Sequence, residues 1–150
     1  LYWHIRKLVH HHEDADDVIQ NTFIKVYRNL KNFKRESKLY TWLYRIATNE
    51  SITHLNERKR RAGYEEGREI DLADQLKADA YFDGGEAEAI MAHAINKLPD
   101  KQRVVFNLRY YDEMSYKDMS QVLETSVGAL KASYHHAVKK VEHFIKNAMS

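Results

Sequence analysis

Residues 115–148, SYKDMSQVLETSVGALKASYHHAVKKVEHFIKNA, decide the fold class. Ser115 and Asp118 form an S-x-x-D capping box, in which the serine oxygen accepts an orphan amide at the start of a helix. That helix runs to Leu123. Glu124 and Thr125 make a tight turn, and Ser126 caps a longer helix reaching about Ala148. A short capped helix, a turn of a few residues and a longer helix is the spacing of a helix-turn-helix. Two more helical stretches precede it, residues 86–98, stopped by Pro99, and residues 100–111.

The N-terminal part reads the same way. Ala15, Val18, Ile19, Phe23, Val26, Tyr27 and Leu30 recur at spacings of three and four, the period of a helix with one apolar face. Asp14, Asp16 and Asp17 stand at its start, where carboxylates oppose the positive end of the helix dipole. Residues 32–38 are a polar break, and Ser37 is placed to cap a second helix. Leu39, Trp42, Leu43, Ile46 and Ala47 line the apolar face of that helix, which ends in the basic run Arg58 to Arg61. Strand-like alternation and internal repeats are absent. The chain is expected to be all-α.

Composition bounds what such a chain can do. It has 150 residues, 43% hydrophobic and 31% charged, which fits a soluble globular protein. Its longest apolar run is four residues, Ala89 to Ala92, far short of the roughly 20 that span a bilayer. It has no cysteine, which excludes disulfides, iron–sulfur clusters, cysteine zinc sites and thiol nucleophiles and fits the cytoplasm.

The small net charge hides three blocks. Residues 1–61 carry 13 basic and 7 acidic side chains, residues 62–89 carry 2 and 9, and residues 90–150 carry 9 and 6. Four of the five glycines fall in the acidic block. Like charges and glycine both extend a chain, so residues 62–89 are expected to be a linker, with a short helical stretch near residues 72–80. The expected organisation is two small helical domains, 1–61 and 90–150, joined by that linker. Units of this size bury little core and are marginal alone, which favours docking to a partner.

Three stretches carry a family resemblance: HEDADDVIQNTFIKVYRNL (residues 12–30), NFKRESKLYTWLYRIATN (residues 32–49) and INKLPDKQRVVFNLRYYDEMSYKDMSQVLETSVGALKASYHHAVKKV (residues 95–141). The first two, with the basic run after them, resemble region 2 of the extracytoplasmic-function sigma factors of bacterial RNA polymerase. The third resembles region 4. The TWLYRIA-x-N segment is the specific signal, because many repressors and activators share the helix-turn-helix. The resemblance implies a promoter-specificity subunit, not an enzyme and without cofactor, that binds core RNA polymerase and promoter DNA. It also implies an anti-sigma factor as partner. Family chains usually begin a helical turn or more before the residue equivalent to Leu1, so the N-terminus is expected to be truncated. A monomer or weak dimer is expected when the chain is free.

The resemblance also assigns roles. Opening the −10 element requires unstacking bases and holding them on aromatic platforms, with cations on the backbone. Phe33, Arg35, Lys38, Tyr40, Trp42, Arg45, Asn49 and Arg58 are the expected −10 residues. Trp42 shares the apolar stripe of its helix, so core packing and base stacking are both open to it. Asn49 read alone is an ordinary solvated residue; the resemblance places it against a flipped base, whose edge an amide can both donate to and accept from. Asp16, Asp17, Gln20 and Asn21 follow the D-D-x-x-Q pattern with which the family grips core polymerase.

For the −35 element the expected residues are Ser126, Ala129, Lys131, Ala132, His135 and His136. Relatives often carry arginine where His136 stands, so a bidentate guanine contact is missing and the −35 preference should differ. Glu124 replaces a usual turn glycine, which costs about 1 kcal/mol or more if that residue is left-handed.

His10, His11 and His12 read as a polar helix-end loop rather than a metal site, since adjacent residues on a helix do not converge on one point. Three other classes fit the sequence less well. A stand-alone helix-turn-helix regulator leaves TWLYRIA-x-N and D-D-x-x-Q unexplained. An enzyme lacks a nucleophile–base pair, a glycine-rich phosphate loop or metal-ligand spacing. A helical adaptor without nucleic acid leaves the basic flanks unexplained.

Overall fold

The structure, a computed structural model, describes residues 1–35, 38–61 and 85–149. Seven α-helices are found among the described residues: α1 (Tyr2–Val9), α2 (His12–Asn29), α3 (Leu39–Arg61), α4 (Glu86–Asn96), α5 (Asp100–Tyr110), α6 (Tyr116–Leu123) and α7 (Val127–Met149). A 3-10 turn, Leu30–Asn32, follows α2. The Ser37 cap and the helical stretch expected near residues 72–80 lie outside the described residues.

Local signals fix the helix ends. Pro99, with no amide hydrogen to donate, suits the N-cap of α5, and Arg103 N donates to its carbonyl at 2.9 Å. Ser115 Oγ accepts from Asp118 N at 3.1 Å, and Ser126 Oγ accepts from Ala129 N at 3.2 Å. Between α1 and α2 the chain reverses through His10, left-handed at φ 72°. The end of α1 receives two guanidinium groups. Arg6 donates to the carbonyl of His10, and Arg103, from α5, donates to that of Leu8 at 3.2 Å. Cations there oppose the negative end of the helix dipole.

The two halves of the chain are not separate bodies. One buried cluster contains Ile5, Leu8 and Val9 of α1, Ala15 and Val18 of α2 and Ala47 of α3. The same cluster contains Val104, Val105 and Leu108 of α5, Met114, Met119 and Val122 around α6, and Leu130 of α7. A second cluster holds α4, α5 and α7 together through Ala94, Ile95, Leu98, Phe106, Ala137 and Val141. The face of α3 turned inward is built of small residues, Thr41, Ala47, Thr48 and Ser51, with Leu55, which lets neighbouring helices approach closely.

The periodicity of α2 correctly gives a helix but only half a core. Ala15, Val18 and Thr22 are buried, whereas Phe23, Tyr27 and Leu30 are exposed. Among the described residues, no other element covers the second half of that helix face.

Two expectations follow. Leu108 is fully buried in the shared cluster, so Leu108→Ala should destabilise by about 2–5 kcal/mol. Both tryptophans, Trp3 and Trp42, lie in the other half. Their fluorescence should nevertheless report a urea midpoint lowered by about 1 M or more; an unchanged midpoint would mean the halves unfold independently. Secondly, burial pushes the His10 imidazole down from 6.5 to about 3, with Arg103 and His11 adding repulsion and Asp100 opposing it. The folded state thus disfavours the proton that the unfolded chain takes up below pH 6.5. Stability should fall by about 1.5 kcal/mol between pH 6.5 and 5. His10→Asn keeps a residue that tolerates φ above zero and should remove most of that slope in urea titrations.

Candidate nucleic-acid and polymerase interfaces

The helix-turn-helix is formed by α6, the turn and α7. Glu124 takes the left-handed position at φ 51°, ψ 43°. Ser120 Oγ donates to the Thr125 carbonyl at 2.6 Å, and Thr125 Oγ1 donates to the Leu123 carbonyl at 3.0 Å. The turn glycine expected from relatives is therefore dispensable here. Met119, Val122 and Leu130 pin the two helices from beneath. With Leu130 and Ala137 facing inward, Ser126, Ala129, Lys131, Ala132, His135 and His136 all lie exposed. They form one accessible stripe over the first three turns of α7. The imidazoles of His135 and His136 are 5.9 Å apart.

The candidate −10 residues gather mostly at the start of α3. Phe33, before the helix, packs its ring 5.0 Å from that of Trp42, and Tyr40 lies 4.7 Å from Tyr44. Trp42 is half-buried, while Arg35, Lys38, Tyr40, Arg45 and Asn49 are exposed. Trp42, Arg45 and Asn49 share a face by helical spacing. Arg58 is apart from them, nine residues beyond Asn49 or about 13 Å along the axis. Its Nη1 bonds Asp14 Oδ2 of α2 at 2.7 Å.

Residues from the C-terminal half reach into this region. Lys38 Nζ is 3.3 Å from Asp118 Oδ2, and Arg45 is ion-paired with Glu124. Tyr44 OH donates to Asp112 Oδ1 at 3.1 Å. Fully buried His4 bridges Thr48, 2.8 Å from its Nε2, and Asp112, 3.5 Å from its Nδ1. Burial works to raise the pKa of Asp112, but His4, Tyr44 and Lys7 outweigh it and hold the carboxyl below its usual range. The same surroundings push the Tyr44 hydroxyl up, by burial first and then by Asp112.

On α2, Asp17, Gln20 and Asn21 are exposed, and Asp16 pairs with His12 at 3.3 Å. Beside them Ile19, Gln20, Phe23, Ile24, Tyr27 and Arg28 line a shallow groove of about 680 Å³. The sequence reading missed this surface, because the apolar periodicity of a buried face and of a docking face are identical. Contiguous exposed apolar residues mark an interaction site.

The fold and these surfaces define an all-α, helix-turn-helix DNA-binding class of protein. Comparison with known proteins narrows it. The sigma-70 region 2 family matches residues 1–61, and the sigma-70 region 4 family matches residues 88–141. The RNA polymerase sigma-H factor of Pseudomonas aeruginosa is 34% identical over 148 residues, covering 92% of this chain and 76% of that protein. The ECF RNA polymerase sigma-E factor of Haemophilus influenzae is 30% identical, covering 91% and 77%. Solved structures share the fold, and two of them show the likeness. One is the sigma factor RpoE with the anti-sigma factor NepR from Bartonella quintana, with TM-score 0.75, 21% identity and coverage of 97% of this chain and 89% of that one. The other is CnrH with the cytosolic domain of CnrY, with TM-score 0.71, 23% identity and coverage of 97% and 80%. The chain belongs to the extracytoplasmic-function sigma factors of RNA polymerase. No helix among the described residues is long and apolar enough to cross a membrane.

Phe23 and Tyr27 are 51% and 83% exposed, so replacing either by alanine should leave the melting temperature within about 2 °C, as for surface changes generally. Each change should weaken binding to core polymerase about fivefold or more if the groove is a docking surface. Unchanged affinity in a titration against labelled core would remove this face from the interface.

Proposed function

We propose that residues 1–61 act as region 2 and residues 86–150 as region 4 of a sigma subunit that directs core RNA polymerase to promoters in the cytoplasm. It would do so without catalysis of its own. The linker between the two regions ends before Glu86, short of the expected residue 89, because α4 starts there. The observation that carries this reading is that one chain holds both regions, in order, with the α7 stripe and Asn49 open to solvent.

The division of labour follows from chemistry. The exposed stripe of α7 enters the major groove of the −35 element. Ser126 keeps a hydroxyl proton to donate to phosphate while its oxygen caps the helix. Lys131 and the two histidines supply donors, and Ala129 and Ala132 supply small apolar contacts suited to thymine methyl groups. At the −10 element, unstacking a base costs a few kcal/mol. Aromatic stacking returns about 1–3 kcal/mol per base. Phe33, Tyr40 and Trp42 are the platforms, Arg35, Lys38, Arg45 and Arg58 hold the backbone, and Asn49 reads a flipped base. Asp16, Asp17, Gln20 and Asn21, extended by Phe23 and Tyr27, dock on core polymerase. The sigma factor RpoE of the similar solved structure is in complex with the anti-sigma factor NepR, and the same class of partner is assigned to this chain.

The test is run-off transcription with sigma-free core polymerase and a library of promoter fragments. Transcripts that depend on the chain are expected, and duplex binding without any transcript would favour a stand-alone regulator. In the same assay Asn49→Ala should reduce −10 opening about tenfold, the scale of one good base contact, while binding to core stays intact. Equal loss of both would remove Asn49 from base recognition.

A further inference from the structure

Between α1, α4 and the end of α5 lies a cavity of about 350 Å³ that belongs to none of the surfaces given above to DNA or polymerase. Its apolar walls are Trp3 of α1, Met91, Ala92 and Ile95 of α4, and Tyr110 and Tyr111 where α5 ends. Small-molecule sites have volumes of about 300–1,000 Å³, mostly apolar and aromatic walls and a few convergent polar groups. Trp3, Tyr110 and Tyr111 stay partly exposed, so the mouth is framed by aromatic rings. The rings of Tyr110 and Tyr111 meet edge-on, 5.1 Å apart.

The polar groups on its walls are out of place in a closed core. Asn107 is 1% exposed, yet among the described residues neither its Oδ1 nor its Nδ2 has a partner. A buried amide left unpaired destabilises the fold, whereas leucine, close to asparagine in size, carries no such cost. The neighbours of Asn107 in the chain, Phe106 and Leu108, are both buried and apolar. Arg103 lies one turn earlier on the same face of α5 and is 4% exposed. Its Nη2 donates to the Leu8 carbonyl and meets Asp100, both at 3.2 Å, while its Nε has no partner among the described residues. Lys7 Nζ stands 3.7 Å from the centre of the Tyr111 ring. Burial pushes that ammonium down from its ordinary value against the opposing pull of Asp112. Arg6, Lys7 and Arg103 thus line the cavity against one lining carboxylate, Glu88.

These features select a ligand. An asparagine amide offers a donor beside an acceptor, and its complement is a ring edge with the same pair, as nucleobases carry. Aromatic side chains stack on a flat ring whatever its substituents. Lysine and arginine favour an anionic group over a neutral one. We infer that the cavity is a binding site for a small anionic heteroaromatic molecule whose ring edge carries a donor beside an acceptor, the class to which nucleoside monophosphates belong. The ring enters past Trp3 and Tyr110. Asn107 reads its edge, Arg103 Nε adds a donor, and Lys7 takes the anionic group near the mouth. The walls come from α1 in one half and from α4 and α5 in the other, so the ligand touches both. It leaves α3, the α7 stripe and the α2 groove free, which is the placement of an effector rather than of promoter DNA.

The test is a titration of the full chain, labelled with nitrogen-15, with AMP and with UMP. Two signals report on the cavity: the side-chain amide of Asn107, assigned by its disappearance in Asn107→Leu, and the indole NH of Trp3. One or both nucleotides should shift both signals with a Kd of about 100 μM or tighter, in keeping with the per-atom affinity of ligands of this size. Asn107→Leu should weaken binding at least tenfold and, without nucleotide, raise the urea midpoint, which separates loss of the site from loss of the fold. Lys7→Gln is the second variant. It should weaken AMP about fivefold, the scale of one charged contact, and leave adenosine unchanged. Ribose 5-phosphate, an anion without a base, should leave the Trp3 signal unmoved. No shift by either nucleotide at about 5 mM, fifty times the expected Kd, would overturn the inference. So would nucleotide binding that neither variant weakens, or ribose 5-phosphate binding as tightly as AMP.

Discussion

The apolar seam between α1, α3, α5 and α6 is the contact on which the rest of this molecule depends. Ile5, Leu8 and Ala47 meet Val104, Leu108 and Met119 in one buried cluster. A unit of about 60 residues buries too small a share of its surface to be secure alone. Pooling two such units yields one larger core. Every functional surface then inherits its position from that seam, since α3 and α6 flank it, α2 packs on its N-terminal side and α7 closes it from below.

At the edge of the seam sits a polar knot whose members come from distant parts of the chain. His4, Thr48, Tyr44 and Asp112 satisfy one another in surroundings that would penalise any of them alone. The carboxyl of Asp112 is held below its usual range by His4, Tyr44 and Lys7, so the acceptor of the knot stays ionised further into acid than a free aspartate does. The apolar seam sets the affinity of the two halves, whereas the knot and the nearby exposed pairs set their register. Exposed pairs such as Lys38 with Asp118 are individually weak.

Local chemistry was readable from the sequence, and long-range chemistry was not. The Ser115 and Ser126 caps, the Pro99 helix start and the turn at Glu124 each depend on a few neighbouring residues, and each is where the sequence places it. The docking of the two halves depends on pairs such as Arg45 with Glu124, 79 positions apart, and no periodicity encodes them. The apolar stripe of α2 misleads for a related reason: Phe23 and Tyr27 follow the helical period, but burial requires a covering element, and none among the described residues lies over them. Asn49 shows the limit for the site. Its exposure fits a solvated residue as well as a base contact, and only the surrounding motif separates the two.

Small-angle scattering from the free chain in dilute, low-salt solution tests the central claim most directly. A single body of 150 residues should have a radius of gyration near 15 Å. A value of about 20 Å or more, as for two small units separated by an extended acidic linker, would contradict the shared core.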